Sequence, residues 1–205
     1  MLFREVLFLK KYLILIIILL SVLLLSCSSD TKIIEDIDKL FDENKGYETT
    51  LEMKIINDSK EAVYKMKEKF IKNDTILLEI LEPKESKGIT IEYKDDKIFL
   101  NHANIKQSIT LKAVKDFDKG ILLINFFENL NTIKSIEKQE IDEKDFYAIE
   151  YMPEETNKYN HERTIYLKTK SLEPYKMEIK DKDGNTRVII KYENFNYIKD
   201  IWGRY

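Results

Sequence analysis

The sequence predicts a mainly β protein of the α+β class: one strongly curved antiparallel sheet or incomplete barrel of about eleven strands, with helices on its concave face. Three observations lead to this prediction. Apolar residues alternate with polar ones through most of the chain after Gly46, short polar turns separate the alternating stretches, and two further segments carry apolar residues at helical spacing.

The first helix is predicted to follow a cap at Asp30 or Thr31, whose side chains can accept hydrogen bonds from the free amides of a first helical turn. Polar residues occupy the opposite face of this helix, and Gly46 ends the helix. The residues that form the apolar face are Ile33, Ile34, Ile37, Leu40 and Phe41.

The strands are predicted from period-two alternation, which places every second side chain on the same face of a sheet. Asn and Asp side chains bond their own backbone, so polar groups such as residues 57–60 predict turns. Asp183-Gly184 predicts a tight turn in which a positive φ is wanted. The predicted strands are residues 47–55, 62–71, 75–81, 88–93, 97–101, 107–111, 133–141, 146–151, 163–167, 174–180 and 186–192.

A second helical segment is predicted over residues 121–130, where Asn125, Glu128 and Asn129 are the only polar residues. Such an apolar segment must cover the sheet, because it cannot face water on all sides. Two outcomes are open for its largest side chains. They either fill the concave cavity and leave no room for acyl chains, or line an open cavity suited to a lipid carrier. These side chains belong to Leu122, Leu123, Phe126 and Phe127.

The N-terminus has the form of an export signal. Arg4, Lys10 and Lys11 make a basic lead, and residues 12–25 are apolar except for Ser21. The uncleaved alternative is a membrane-spanning anchor of about 20 residues. In either case the folded part is expected outside the cytoplasm, attached to a membrane.

The four residues Leu24-Leu25-Ser26-Cys27 resemble the bacterial lipobox, in which the cysteine is lipidated and the bond before it is cut. We therefore predict a signal peptide over residues 1–26, a lipidated tether over 27–31 and a single domain over 32–205. Cys27 is the only cysteine, so the mature domain has no disulfide, cysteine metal site or thiol nucleophile of its own.

The charge balance excludes one class of partner. The predicted mature part carries 31 basic and 36 acidic residues, a net charge of −5 with both signs interspersed. Nucleic acid would require a basic patch, so we expect no nucleic-acid partner.

The candidates for chemistry are few, and their spacing favours structural roles. His102 and His161 are the only histidines, and neither has a metal-ligand spacing; His102 is predicted in a loop over residues 101–104, and His161 just before a strand. Glu154-Glu155 is predicted to be a solvated loop. No catalytic residue, metal ligand or cofactor is therefore predicted, and the chain is not expected to be an enzyme.

The stretch Asp181-Lys182-Asp183-Gly184-Asn185 begins like a calcium loop but departs from it. The glycine is fourth rather than sixth, and the twelfth position is Tyr192 rather than glutamate. A hairpin turn is the better interpretation.

Two surfaces could contact partners. Lys65, Lys67 and Lys69 form a basic stripe that could touch anionic lipid or a wall-bound enzyme, although such a stripe is more often the solvated face of a strand that resists aggregation. An aromatic tail is expected to close one end of the core; its members are Tyr192, Phe195, Tyr197, Trp202 and Tyr205. The last two, Trp202 and Tyr205, could serve as interface anchors.

Several motifs resemble the LolA/LolB-like lipoprotein-carrier superfamily over roughly residues 31–197. A strand that ends in an acid and proline, followed by a Lys-Gly turn into the next strand, is recurrent there. Together with the lipobox, the motifs are most similar to its GerS-like branch of clostridial germination lipoproteins. The motifs are Tyr47-x-Thr49-x-Leu51-x-Met53, Val63-Tyr64-Lys65-Met66-Lys67, Leu78-Glu79-x-Leu81-Glu82-Pro83 and Lys87-Gly88-Ile89.

The resemblance implies an incomplete barrel of about eleven antiparallel strands with helices across its concave face. It also implies a lipid-anchored, non-enzymatic regulator of spore cortex peptidoglycan processing and germination. Such a regulator would bind and activate a CwlD-type N-acetylmuramoyl-L-alanine amidase, a zinc enzyme that would supply the metal ligands itself. A carrier or sensor of lipid or lipoprotein acyl chains is the alternative. A homodimer and the partner contact surface both stay open.

Overall fold

The computed structural model of the chain describes residues 30–57, 60–73, 75–94, 97–102, 105–112, 119–153 and 156–199. Its contacts divide the chain into two compact units, Met1–Lys39 and Leu40–Tyr205. In the first unit residues 30–39 are helical and belong to helix α1, residues 30–42. The predicted signal peptide and Cys27 lie outside the described residues, and the predicted domain boundaries stay predictions.

The second unit is built on one open, curled antiparallel sheet of eleven strands in the order β6-β5-β4-β3-β2-β1-β11-β10-β9-β8-β7. The pairing of β1 with β11 joins the first and last strands at its centre. This architecture confirms the predicted fold class. The strands are β1 Gly46–Asn57, β2 Lys60–Ile71, β3 Thr75–Glu82, β4 Ile89–Lys94, β5 Lys97–His102, β6 Ile105–Lys112, β7 Ile133–Ile141, β8 Lys144–Tyr151, β9 Glu162–Lys168, β10 Pro174–Lys180 and β11 Thr186–Ile198.

Alternation along the strands gives the sheet an apolar inner face, which we define by its buried side chains. Leu51 of β1, for example, lies opposite Met66 of β2 on one side and Tyr192 of β11 on the other. Each fully buried side chain of this size contributes about 1.5–3 kcal/mol to stability. The inner face continues across the sheet through Met53, Ile190, Met177, Ile165 and Ile149.

A β-bulge interrupts the central pairing of β1 with β11. Between Glu48 and Thr50 the register shifts, so the single residue Thr49 faces two residues of β11, Asn194 and Phe195. The shift lets Phe195 stack on the ring of Tyr47 at 5.7 Å. Strict alternation fails at this bulge, which explains why β11 continues to Ile198 although the sequence pattern predicted an end at residue 192.

The predicted helix over residues 121–130 is wrong in its length. The segment consists instead of a 3₁₀ turn at Lys119–Ile121, helix α2 at Ile124–Glu128 and a 3₁₀ turn at Leu130–Thr132. Side chains compete with the helical hydrogen bonds at its end, because Asn129 Nδ2 donates to the Asn125 carbonyl at 2.7 Å and Thr132 Oγ1 to the Asn129 carbonyl at 2.8 Å. We call residues 119–132 the cover.

The turn at residues 181–185 is the predicted hairpin turn rather than a calcium loop. Gly184 has a φ of 82°, as expected, and the Asp181 carboxylate accepts hydrogen bonds from the amides of Asp183 and Asn185, each at 2.9 Å. Burial acts to raise the pKa of Asp181, but these bonds and the one donated by Arg187 Nε at 2.6 Å outweigh it and bring the pKa to about 2.

Gly46→Ala should lower the free energy of unfolding by about 3 kcal/mol or more, the upper end for overpacking. A Cβ at Gly46 would lie 2.0 Å from the carbonyl oxygen of Phe70, so β1 and β2 would have to separate. Gly184→Ala is the matched control. A Cβ at Gly184 would meet open space, but the positive φ of this residue should lower the free energy of unfolding by about 1–2 kcal/mol. Urea denaturation measures both, and equal losses would contradict the close approach at Gly46.

Candidate functional site

The cover lies on the inner face and fills the space above the central strands. Leu123 and Phe126 are 0% exposed, and Leu122 and Phe127 are also buried. The Phe126 ring meets the Tyr151 ring edge-on with centroids 5.4 Å apart. Of the two outcomes that the sequence left open for these side chains, the structure shows the filled one.

Phe127 lies between rings from two other parts of the unit. Its ring stacks on Phe41 with centroids 4.4 Å apart, and it lies 6.1 Å from the ring of Tyr47. Lys72 Nζ donates to the Phe41 carbonyl at 2.8 Å and lies 4.2 Å from the centroid of its ring. Phe127 of the cover therefore packs against rings that lie outside the cover.

Glu68 joins the cover to the sheet. Its side chain is 1% exposed, and its Oε1 accepts hydrogen bonds from the Tyr47 hydroxyl at 2.5 Å and from the Leu123 amide at 3.2 Å. The other oxygen, Oε2, has no hydrogen-bond partner among the described residues. Burial raises the pKa of Glu68 to about 7, and the two hydrogen bonds partly oppose that rise.

Arg163 makes a second polar connection between the cover and the sheet. Its side chain is 0% exposed, its Nε and Nη2 donate to Asn160 Oδ1 at 3.1 and 2.8 Å, and its Nη1 donates to Asn125 Oδ1 on α2. The guanidinium also lies 5.7 Å from the centroid of the Tyr151 ring. A buried charge is costly unless it is hydrogen-bonded in this way.

The sequence analysis missed both groups, although their positions carry a signal. Glu68 falls at the inward register between Met66 and Phe70, and Arg163 at the inward register of β9, where an apolar residue is expected. Both groups are enclosed beneath the cover. Their geometry indicates that these two side chains hold the cover in position rather than carry out chemistry on a solute.

The histidines and the other predicted candidates are distributed over the chain. His102 is the last residue of β5 and pairs with Ile89, so the predicted loop at this residue is wrong because the ladder extends through it. His161 precedes β9, as predicted, and its amide donates to the Lys180 carbonyl at 2.9 Å. The two histidines thus belong to opposite halves of the sheet order. Cys27, Glu154, Glu155, Trp202 and Tyr205 lie outside the described residues.

The basic stripe borders a pocket on the outer face of the sheet, the face opposite the cover. Lys65 forms an ion pair with Glu193 at 3.6 Å, whereas Lys67 and Lys69 line a pocket of about 420 Å³. Strands β1, β2, β3 and β11 form its floor. The other residues that line it are Glu48, Thr49, Thr50, Glu68, Leu77, Glu79, Asn194 and Asn196.

Within the described residues, no group of three or more His, Cys, Asp and Glu side chains is placed to hold a metal ion. In the same part of the chain, no helix is both long and apolar enough to cross a membrane.

The sequence matches the family described as YdcC-like sporulation proteins over residues 9–202. The chain belongs to this family. Its membership confirms the relation to sporulation proteins that the sequence motifs indicated. No curated protein matches the sequence significantly.

Solved structures similar to this YdcC-like protein include three from different bacteria. An uncharacterized conserved protein from Thermus thermophilus matches with a TM-score of 0.53 at 10% identity, covering 81% of this chain and 87% of its own. The complex of the CwlD amidase with the GerS lipoprotein from Clostridioides difficile contains a chain that matches with a TM-score of 0.49 at 24% identity, covering 82% of this chain and 95% of its own. A LolA superfamily protein from Nitrosomonas europaea matches with a TM-score of 0.46 at 15% identity, covering 83% of this chain and 94% of its own.

Glu68→Gln should flatten the dependence of stability on pH between about 4.5 and 7. The folded protein keeps a proton on Glu68 up to a pKa of about 7, whereas a free carboxyl loses it near 4.5, so the free energy of unfolding falls as the pH rises through this range. The slope from this one group is at most about 1.4 kcal/mol per pH unit. Glutamine cannot ionise, so the Glu68→Gln substitution removes this slope.

Urea denaturation of the wild type and the variant across this pH range measures the difference. Tyr47 and Tyr192, which both interact electrostatically with Glu68, have pKa values raised by burial and stay neutral throughout. Glu52→Gln, on an exposed position of β1, is the matched control and should keep the wild-type slope. Parallel curves for the wild type and Glu68→Gln would show that Glu68 does not titrate as described.

Proposed function

We propose that this protein is a lipid-anchored, non-enzymatic regulator of spore cortex peptidoglycan processing and germination, which binds and activates a CwlD-type N-acetylmuramoyl-L-alanine amidase. The observation that carries the proposal is the match to a sporulation family over residues 9–202. That range includes most of the apolar export segment and the lipobox with Cys27. The amidase is named because the sequence motifs resemble the GerS-like lipoproteins.

The chemistry of the described residues supports a binding role. Glu68 and Arg163 are engaged in hydrogen bonds that position the cover. His102 lies in β5 and His161 directly precedes β9, and these two strands lie in opposite halves of the strand order. A regulator needs no reacting groups of its own, because the partner enzyme supplies them.

The filled space above the central strands favours a regulator over the alternative, a carrier of acyl chains. A carrier needs an open apolar cavity in which a lipid tail can replace water. Above the central strands the protein's own Leu123, Phe126 and Phe127 occupy that space. A lipid could enter there only if the cover moved away and exposed the buried Glu68 and Arg163.

Activation by such a protein is a shift in the conformational equilibrium of the amidase. The regulator binds the competent state more tightly and so increases its population. Because the amidase is a zinc enzyme in the resembling branch, the zinc-bound conformation is the state to be stabilised. The coupling is reciprocal, so zinc must tighten the binding of the regulator by the same factor.

The mature protein, purified in detergent, should bind the CwlD-type amidase of the same organism more tightly when zinc is present. Couplings of this kind are typically about 5- to 150-fold in affinity. Calorimetric titration of the zinc-loaded and the metal-free amidase measures the factor. Equal affinities would exclude the zinc-coupled mechanism, and absence of binding in both would exclude the regulator. A parallel titration with a fluorescent fatty acid tests the carrier, which saturable binding at the inner face would favour.

Cys27→Ala should leave the protein without lipid and uncut at the predicted site. The chain has no other cysteine to accept the lipid. Metabolic labelling with an alkyne fatty acid measures the modification, and Ser28→Ala is the matched control that should still be labelled. Label that persists on Cys27→Ala would contradict the lipid anchor.

A further inference from the structure

The outer-face pocket aligns its polar groups in two rows across the central strands. In one row, pairing places Asn196, Glu48 and Lys69 side by side on β11, β1 and β2. In the other, Thr50, Lys67 and Glu79 lie side by side on β1, β2 and β3. Neighbouring strands are about 4.8 Å apart, so the four strands span about 14 Å.

The bulge in β11 adds an amide to the edge of this pocket. Asn194 has a φ of 51°, a left-handed conformation that asparagine tolerates better than most residues, and its carbonyl accepts a hydrogen bond from Asn196 Nδ2 at 3.0 Å. Bulges often lie next to functional sites, where they change the direction of a side chain. The bulge therefore brings Asn194 into the pocket lining beside Asn196.

The lysines in the pocket make no close ion pair with the described carboxylates beside them. Lys65, the next residue on the same face of β2, forms an ion pair with Glu193 at 3.6 Å. Among the described residues, Lys67 and Lys69 form no ion pair within 4.0 Å, although Glu79 and Glu48 are their cross-strand neighbours. The pocket thus offers two ammonium groups at its centre and a carboxylate on each side of them.

We propose that this pocket binds a short peptide that carries both a free amino group and free carboxylates. Lys67 and Lys69 would receive the carboxylates, Glu48 or Glu79 the amino group, and the amides of Asn194 and Asn196 the peptide bonds. A pocket of about 420 Å³ lies in the range of small-molecule sites. Its span of about 14 Å corresponds to roughly four extended residues.

The composition of the lining favours such a peptide over a neutral sugar. Among the described lining residues there is no aromatic ring on which a sugar could stack. Charges of both signs at fixed separation suit a ligand that carries both signs, and charge-assisted hydrogen bonds are stronger than neutral ones.

The source of the peptide rests on the proposed function. Hydrolysis of an N-acetylmuramoyl-L-alanine amide adds water across the bond: the hydroxyl goes to the sugar acid, which becomes a carboxylate, and the proton goes to the alanine nitrogen, which becomes an ammonium group. A free amino group on the alanine therefore exists only on the released peptide. The pocket would distinguish the product of the amidase from its substrate and take up that product beside the enzyme.

The dipeptide L-Ala-D-Glu is the probe, with its N-acetylated form and its doubly carboxyl-amidated form as variants that remove one sign of charge. Titration into the mature protein in detergent, followed by NMR or calorimetry, should show saturable binding of the free dipeptide. Each modified form should bind at least about tenfold more weakly, the effect of losing about one charge-assisted hydrogen bond. Lys67→Ala combined with Lys69→Ala should give a similar loss, and Lys65→Ala should leave the affinity unchanged.

Three results would overturn the proposal: no binding of the free dipeptide, equal binding of the N-acetylated form, or an equal loss of affinity from Lys65→Ala and from the combined Lys67→Ala and Lys69→Ala substitutions (the pocket pair). If the pocket pair weakened amidase binding while no dipeptide bound, the pocket would belong to the protein partner and the proposal would also fail. The peptide titration contains no amidase. Its failure is therefore distinguishable from failure of the proposed function, which the amidase titration tests alone.

Discussion

One oxygen of the Glu68 carboxyl accepts hydrogen bonds from Tyr47 on β1 and from the Leu123 amide in the cover. The cover depends on such contacts, because its helix α2 has five residues and is far too short to be stable alone. Packing of Leu123 and Phe126 supplies the apolar part of its stability, and the bonds of Glu68 and Arg163 fix its position. Burying the Glu68 carboxyl carries a cost, visible in its raised pKa.

Period-two alternation was enough to predict the strands, whereas their order was not readable from the sequence. The pattern says which side chains share a face but not that β1 pairs with β11 at the centre of the sheet. Glu68 and Leu123 are 55 residues apart, so no local signal connects them. The outer-face pocket was missed for the same reason: only the three-dimensional order brings Asn194 and Asn196 beside Lys67 and Lys69.

The departures from the expected elements have local causes that single-residue propensities do not reveal. At the end of α2, the side chains of Asn129 and Thr132 bond to the backbone and divide an apolar segment that otherwise resembles one helix. In β11 one extra residue reverses the alternation after Tyr192, so Phe195 reaches the inner face. An aromatic spacing of three followed by two in Tyr192, Phe195 and Tyr197 is the sequence trace of that bulge.

The two faces of β2 separate the structural role of the strand from its proposed binding role. Glu68 faces inward to the cover, while its neighbours Lys67 and Lys69 line the pocket on the other side. Adjacent residues of a strand point to opposite faces, so this division follows directly from the fold. Substituting the two lysines removes exposed charges without touching the partners of Glu68. A change in ligand binding with unchanged stability therefore identifies the outer face, and a change in both points to the inner one.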